Sequence, residues 1–463
     1  MGLRVLCNGE RYKQGGEGKM LLLERTNTVY LAGSIVKWWL SEGKHPVSDG
    51  CSVYLWNQVY SEVSNLRGYL MNLLEGAEVG DKKLHLGWSK IREIEAAILS
   101  DLGIHKPSFF EERRPVGLQT KTGFWVAEQG KIKKIPSSPT HRQTHSYPDL
   151  ERGEPEAWLA FLRQIWADED DSEEKIKCLQ AFLGTCLTQA PLSRALLLTG
   201  AGANGKSALL RCLSTIIGPE LSSSISPDNM TRHNSEYYVY QLKDARFNFA
   251  GELNKDSLKR DTASLKSVIG QDPIVGRKAY SMPIRFTPRC GHAFSSNHTI
   301  EFHDNSYGWE RRFAILTFNQ KFSGSKAKSF DKLWAPIKED LGKIYAWALE
   351  GACYVLSNQD LPVPQSSQDE IKLIVMDNPI NDFLLNAAII GGNSDTRSTD
   401  VYKAFQQFID MRGHDETLWT HKKFSSQIVE ALSRYTSTPK RRTAAGVTFN
   451  LILKDRMSWA SIN

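Results

Sequence analysis

The sequence has no cysteine pair at C-x-x-C spacing, and its seven cysteines are scattered. That excludes a disulfide framework and the usual zinc motifs, and it points to reduced thiols in a cytosolic setting. No apolar run is long enough to cross a bilayer, so the chain does not read as membrane-embedded. The opening Met1-Gly2-Leu3-Arg4-Val5-Leu6 turns polar too soon for a secretory signal. There is no internal repeat. Neither sign of charge dominates: 58 Lys and Arg against 52 Asp and Glu leave a net +6. Such a balance permits nucleic-acid binding without requiring it. What remains is a globular chain of 463 residues, 41% hydrophobic, with room for two or three domains.

The chemistry-bearing stretch is Gly200-Ala201-Gly202-Ala203-Asn204-Gly205-Lys206-Ser207, which fits G-x-x-x-x-G-K-[ST]. Leu196-Leu197-Leu198 before it reads as a buried strand. Ser207 to Ile217 after it reads as a helix stopped by Gly218-Pro219. Glycines let successive N–H groups turn inward toward a phosphate, and a helix N-terminus adds partial positive charge. In this reading Gly200, Gly202, Ala203, Asn204 and Gly205 cradle the phosphates of ATP. Lys206 reaches the β- and γ-phosphates, and the Ser207 hydroxyl holds Mg²⁺.

Before this stretch, apolar spacing predicts helices over residues 30–40, 65–75 and 89–102, a strand from Val53 toward Tyr60, and a hairpin around Gln129-Gly130. Residues 137–148, rich in Ser, Thr, His and Pro, read as a linker or extended connection. Two further helices span 154–167 and 173–187. The acid run Asp168-Glu169-Asp170-Asp171 between them reads as a solvated loop whose last acids cap the next helix, in preference to a metal site. After the glycine loop come a strand over 246–252, a helix over 258–269, a hairpin over 274–288, and strands over 292–297 and 312–318. Strands alternating with helices indicate a parallel sheet. A long helix over 332–356 and a Pro- and Gln-rich boundary at 357–369 follow. Helices over 380–388, 398–412 and 423–435, a basic turn Lys440-Arg441-Arg442 and a strand over 447–453 then suggest a winged-helix module.

Glu252 ends its strand at the place where a carboxylate would support the Mg²⁺ shell or orient the attacking water. Gly251 precedes it, so one carboxylate would serve both tasks. Asn297 ends the third strand, where a side-chain amide beside the γ-phosphate can position water or sense the nucleotide. Arg311 and Arg312 would offer cations to the phosphates, in trans if the protein forms a ring, and Arg312 is favoured because it immediately precedes a strand. Cys290, His292, His298 and His303 cluster without a zinc spacing and read as structural.

These stretches together resemble superfamily-3 helicases, in particular the poxvirus and phage/plasmid primase-helicase branch. Gly200 to Ser207 has that branch's G-x-G-x-N-G-K-S form. Residues 246–252 match its short strand ending in a single Glu. Leu265-Lys266 through Gly270, Asp272 and Pro273 match its L-K-x-x-x-G-x-D-P segment. Ser296-Asn297-His298 matches T-N-H with Ser for Thr, and Trp309-Glu310-Arg311-Arg312 to Phe318 matches the arginine-finger segment with Thr317 for a usual Pro. The resemblance implies an α/β P-loop (AAA+-like) ATPase domain over 191–360. A mainly helical N-terminal domain, of mixed α/β content, precedes it over 1–150 with a helical lead-in over 151–190, and a winged-helix-like domain follows over 378–463. It implies a ring, expected to be a hexamer, that hydrolyses ATP with Mg²⁺ between subunits and moves on single-stranded DNA at a fork, in replication of a virus, phage, plasmid or other mobile element. It gives the 274–288 hairpin a pore-lining role, with Arg277, Lys278 and Tyr280, and less directly Lys266, as DNA contacts. No primase stretch precedes residue 30, so the helicase half alone is expected, with any primase separate, in the host cytoplasm or nucleoid. The rival readings are an ATP-driven translocase or initiator that does not unwind, and a nucleotide-gated DNA-binding module.

Overall fold

A computed structural model describes residues 23–79, 82–112, 114–128, 130–167, 169–253, 263–279, 282–297, 311–322, 329–376, 379–390, 395–413, 419–433, 435–443, 446–456 and 459. The chain divides into two compact units, Met1–Gly153 and Glu154–Asn463. Among the described residues no helix is long and apolar enough to cross a membrane.

The first unit corrects the expectation of a mainly helical domain. Its described residues form three helices and eight short strands. Helices Thr28–Ser41, Leu66–Leu74 and Trp88–Leu99 bury Leu31, Ile35, Trp39, Leu70, Ile91, Ile94 and Ile98 in one core. The single strand expected from Val53 is a hairpin, Val53–Asn57 with Val59–Glu62, turned at Gln58 in the left-handed region. The Gly117–Thr120, Gly123–Glu128 and Lys131–Ile135 strands form an antiparallel sheet, as the hairpin reading anticipated for the last two. The expected linker at 137–148 is pinned instead. His141 stacks on Phe124, with ring centroids 4.1 Å apart, and the Tyr147 N–H donates to the Gln119 carbonyl at 2.9 Å.

The second unit is built on a five-stranded sheet ordered Ser222–Ser223, Phe247–Ala250, Gly291–Ser296, Ala195–Thr199, Phe313–Thr317. All its pairings are parallel. The Ala195–Thr199 strand lies between two neighbours, and parallel strands covered on both faces read as continuous apolar runs, here Ala-Leu-Leu-Leu. Helix Ser172–Thr188 is buried on nearly every side and runs against Leu341–Asn358. Glycines set that approach. A Cβ on Gly184 would lie 2.1 Å from the Ala348 carbonyl oxygen, and one on Gly351 would lie 2.4 Å from that of Gln180. A side chain at either position would drive the helices apart.

Three differences from the sequence reading have tertiary causes. The long helix expected over 332–356 is two helices, Phe330–Glu339 and Leu341–Asn358, broken at Asp340. The Asp340 carboxylate accepts from the Ala157 N–H at 2.9 Å and so supplies an orphan amide in the first turn of helix Glu156–Ile165, whose own N-cap, Pro155, gives no side-chain bond. The boundary expected at 357–369 contains the start of helix Gln365–Met376, and buried Ser367 accepts from the Ile315 N–H at 2.8 Å. This covers the outer edge of the sheet, which would otherwise present unpaired donors. Of the acid run expected to be solvated, Asp168 lies outside the described residues and Asp170 is exposed, but Glu169 and Asp171 are engaged. Glu169 and Asp171 both pair with Lys175, whose side chain is fully buried, and the Lys175 ammonium also donates to the Thr317 hydroxyl at 2.7 Å. Thr317 thus has a partner that a proline could not supply.

Helices Pro379–Ala387, Ser398–Met411 and His421–Leu432 close on a core of Phe383, Phe405, Phe408, Phe424, Phe449 and Trp459. The expected basic turn is a strand, Lys440–Thr443, paired antiparallel with Gly446–Phe449. The expected single strand over 447–453 is split at Asn450: its first half joins Lys440–Thr443 and Thr396–Arg397, and its second, Leu451–Leu453, pairs with Ala388–Ile390.

Candidate nucleotide-binding site

The Gly200–Gly205 loop leaves the C-terminal end of the central strand and runs directly into helix Lys206–Ile217. Gly200, Gly202, Ala203 and Gly205 all have positive φ, at 151°, 91°, 48° and 94°. A run of this kind curls the backbone into a concavity that favours anions. Close packing reinforces the need for glycine. A Cβ on Gly200 would meet the Phe318 carbonyl oxygen at 2.4 Å, and one on Gly205 would meet Ile165 Cγ2 at 2.8 Å.

Side chains fix the loop from behind. The Asn204 amide donates to the Phe318 carbonyl at 3.1 Å, and the Phe322 N–H donates to the Ala203 carbonyl at 2.7 Å. The Lys206 ammonium donates to the Gly200 carbonyl at 2.7 Å and to Asn204 Oδ1 at 2.9 Å. Its pKa lies below the usual lysine value because burial penalises the charge. Lys206 is therefore already folded over the loop it would serve, and Ser207, one residue on, is exposed.

The register of the sheet brings other expected residues to the same edge. Ser296 pairs with Thr199, so Asn297 follows at the level of Gly200. A Cβ on Gly202 would lie 3.9 Å from Asn297 Oδ1. Ala250 pairs with Phe294, and Glu252 stands two residues beyond it, exposed and with φ of 55°. The Leu253 N–H donates to the Ser295 carbonyl at 2.8 Å, which holds this turn against the neighbouring strand. A residue in the left-handed region outside glycine carries strain, and the turn aims Glu252 off the end of its strand.

Arg311 and Arg312 lie elsewhere. They precede the Phe313–Thr317 strand, and the Ala195 N–H donates to the Arg312 carbonyl. Because the strands are parallel, Arg312 sits at the N-terminal edge of the sheet. About six residues at roughly 3.3 Å each, or about 20 Å, separate it from Gly200. Arg312 Nε donates to the Lys266 carbonyl at 3.0 Å. Its pKa is lowered, by burial first and then by Arg311, while Asp272 opposes the shift. Lys266 therefore belongs with Arg312 at this edge.

Strands Ile274–Gly276 and Ile284–Phe286 pair antiparallel, as the hairpin reading requires. Lys278 is exposed at the end of the first arm, with its ammonium 5.6 Å from the Tyr240 ring centroid. Arg277 is engaged at the base: it pairs with Glu236 at 3.2 Å and its guanidinium lies 4.7 Å from the Tyr237 ring centroid. Tyr280, His298, His303, Trp309 and Glu310 lie outside the described residues. Cys290 and His292 are buried in contact, with Sγ and Nε2 3.5 Å apart, and burial pushes the His292 pKa down to about 4. Among the described residues no cluster of His, Cys, Asp and Glu is arranged to hold a metal ion.

The sequence reading missed a cavity of about 260 Å³ beside the loop. Gly205, Lys206 and Ser207 line it together with Phe161, Gln164, Phe322 and Leu333. Phe161, Gln164 and Ile165 stand at i, i+3 and i+4 on one helix, a spacing that was visible but equally fits a core face.

Residues 198–312 match the model of a family of unknown function, DUF5906. A stretch of 194 residues, 41% of the chain, is 29% identical to the L207/L206 protein of Acanthamoeba polyphaga mimivirus, described as a candidate helicase; the match spans 19% of that protein's length. The fold is similar to apo structures of the NrS-1 C-terminal region. One, the A form, is 11% identical, with coverage of 87% of this chain and 94% of that one and a TM-score of 0.47. Another, of residues 305–718, is 14% identical, with coverage of 93% and 100% and a TM-score of 0.45. The chain thus carries distant, partial similarity to a candidate viral helicase on a mixed α/β fold with a five-stranded parallel sheet.

Proposed function

We propose that this chain is the motor of an ATP-dependent DNA helicase of the superfamily-3 kind, hydrolysing ATP between subunits of a ring. The observation that carries the reading is the meeting of the positive-φ glycine loop, Lys206, Ser207, Asn297 and Glu252 at one edge of a parallel sheet. Ligand sites of open parallel sheets form at that edge, beyond the strand ends. The strand order also supports it, because the strand that leads into Asn297 is inserted between the central strand and the one ending near Glu252. The distant similarity to a candidate mimivirus helicase supports the choice of DNA as partner.

In this reading the loop amides and Lys206 bind the phosphates of ATP. The donor set fits Mg²⁺: the exposed Ser207 hydroxyl would hold it, with Glu252 in its outer sphere, and the bound ion would neutralise charge on the phosphates. Glu252 accepts a proton from the attacking water or orients it. Asn297 hydrogen-bonds the γ-phosphate and reports its loss to the strand behind it. Arg312, at the far edge of its own sheet, serves the loop of the adjacent subunit. The same edge-to-edge logic joins subunits head to tail, an arrangement that closes into a ring; six is the expected number. Lys278 contacts the backbone of a single strand in the pore, and Arg277 braces the hairpin. The C-terminal helices and strands form a winged-helix module on this reading, and a separate primase would act beside the motor.

The test is strand displacement on forked DNA. The purified chain with ATP and Mg²⁺ should unwind the fork, and Lys278→Ala should lose unwinding while keeping its basal ATPase. Unwinding by Lys278→Ala at the wild-type rate would remove the hairpin from the mechanism. A wild-type chain that hydrolyses ATP on forks yet separates none of them would be a translocase or loader instead.

A further inference from the structure

We infer that the cavity beside the glycine loop is a base pocket that selects adenine, with Gln164 as the residue that reads the base. The inference rests on the nucleotide-binding reading of the loop and extends it to the part of the ligand the loop does not touch.

The cavity is lined by two chemically different sets of groups. Gly205, Lys206 and Ser207 supply backbone amides, an ammonium and a hydroxyl, which suit phosphate. Phe161, Ile165, Phe322 and Leu333 supply apolar walls beside the loop, which suit a flat ring. Ligand pockets combine such walls with a few placed polar groups, and here the helix that carries Phe161 and Ile165 also supplies the Gln164 amide.

The apolar walls are tied directly to the loop. The Phe322 N–H donates to the Ala203 carbonyl at 2.7 Å. Ile165 lies so close to Gly205 that a Cβ there would meet it at 2.8 Å. The helix carrying Phe161 and Gln164 is held at its start by Asp340 on the Ala157 N–H. Just beyond its end, Trp166 Nε1 donates to the Thr317 carbonyl at 3.2 Å. A pocket prepared in this way orders little on binding, which favours affinity.

The glutamine amide offers one acceptor and two donors. It can accept from the adenine 6-amino group and donate to N7 together, whereas guanine presents acceptors at both positions. Gln164 lines the pocket and is exposed, so its replacement removes the reading group without opening the core. A bidentate contact of this kind discriminates by roughly tenfold or more.

The experiment is equilibrium binding of the full chain, with Mg²⁺, to ATP, GTP and inorganic tripolyphosphate. The wild type should bind ATP about tenfold tighter than GTP. Gln164→Ala should bring the ATP to GTP ratio close to one and leave tripolyphosphate binding unchanged. Leu333→Trp, which fills the pocket, should weaken both nucleotides and spare tripolyphosphate. Lys206→Ala should weaken all three. The inference is overturned by equal affinity of the wild type for ATP and GTP, or by Gln164→Ala and Leu333→Trp both binding ATP within twofold of wild type while Lys206→Ala fails to bind. Should Lys206→Ala bind all three ligands as the wild type does, the nucleotide reading of the loop falls as well, and the base pocket with it.

Discussion

Lys206→Ala is expected to lower ATP turnover by about 10²–10³-fold or more, the usual cost of removing a prepositioned charge from a developing anion. The geometry explains why so much rests on one ammonium. Lys206 is only 4% exposed and is directed back over the loop onto the Gly200 carbonyl and Asn204 Oδ1. A phosphate entering the loop would meet a partly desolvated cation in a region of low effective dielectric, where its charge acts more strongly than in water. Truncation also removes a donor from Asn204, whose own amide anchors the loop to Phe318. Thermal denaturation of the variant separates loss of chemistry from loss of fold. A Lys206→Ala chain that melts like the wild type and still turns over ATP within tenfold of it would contradict the assignment.

Arg312→Ala should lower turnover by about 10³–10⁵-fold, but its defect should be shared between subunits. The register puts Arg312 at one edge of the sheet and the loop at the other, about 20 Å apart along the strands at roughly 3.3 Å per residue. Within one chain the two cannot meet across a phosphate. Mixing Lys206→Ala with Arg312→Ala chains should therefore restore activity. At equal ratio about a quarter of head-to-tail interfaces would pair an intact Lys206 with an intact Arg312, so turnover should recover to about a quarter of wild type. Steady-state ATPase across a mixing series measures this directly. Arg311→Ala should cost less, because Arg311 is exposed while Arg312 is held by the Lys266 carbonyl. Absence of recovery at every ratio would rule out a shared site.

How much of this was legible in the sequence follows from what each feature depends on. The glycine loop was legible because its conformation demands glycine at set positions: Gly200, Gly202 and Gly205 all adopt positive φ. The strands of the parallel sheet were legible because burial on both faces leaves continuous apolar runs such as Leu196-Leu197-Leu198. The order of those strands was not, since nothing local shows that residues 291–296 insert beside 195–199. Contacts across long sequence separations were equally hidden. Asp340 caps a helix that starts at Glu156, and Lys175 reads as one more charge until Thr317 and Glu169 close around it. The C-terminal strands were misread because elements of two to four residues, such as Thr396–Arg397, are too short to show a period.

The central claim is that the loop at Gly200–Ser207 drives a motor on DNA. The most direct measurement is steady-state ATP hydrolysis by the wild-type chain as single-stranded DNA is added. The account predicts turnover that rises with DNA and saturates, and that is absent from Lys206→Ala at every DNA concentration. Turnover that proceeds in the wild type but ignores DNA would contradict it.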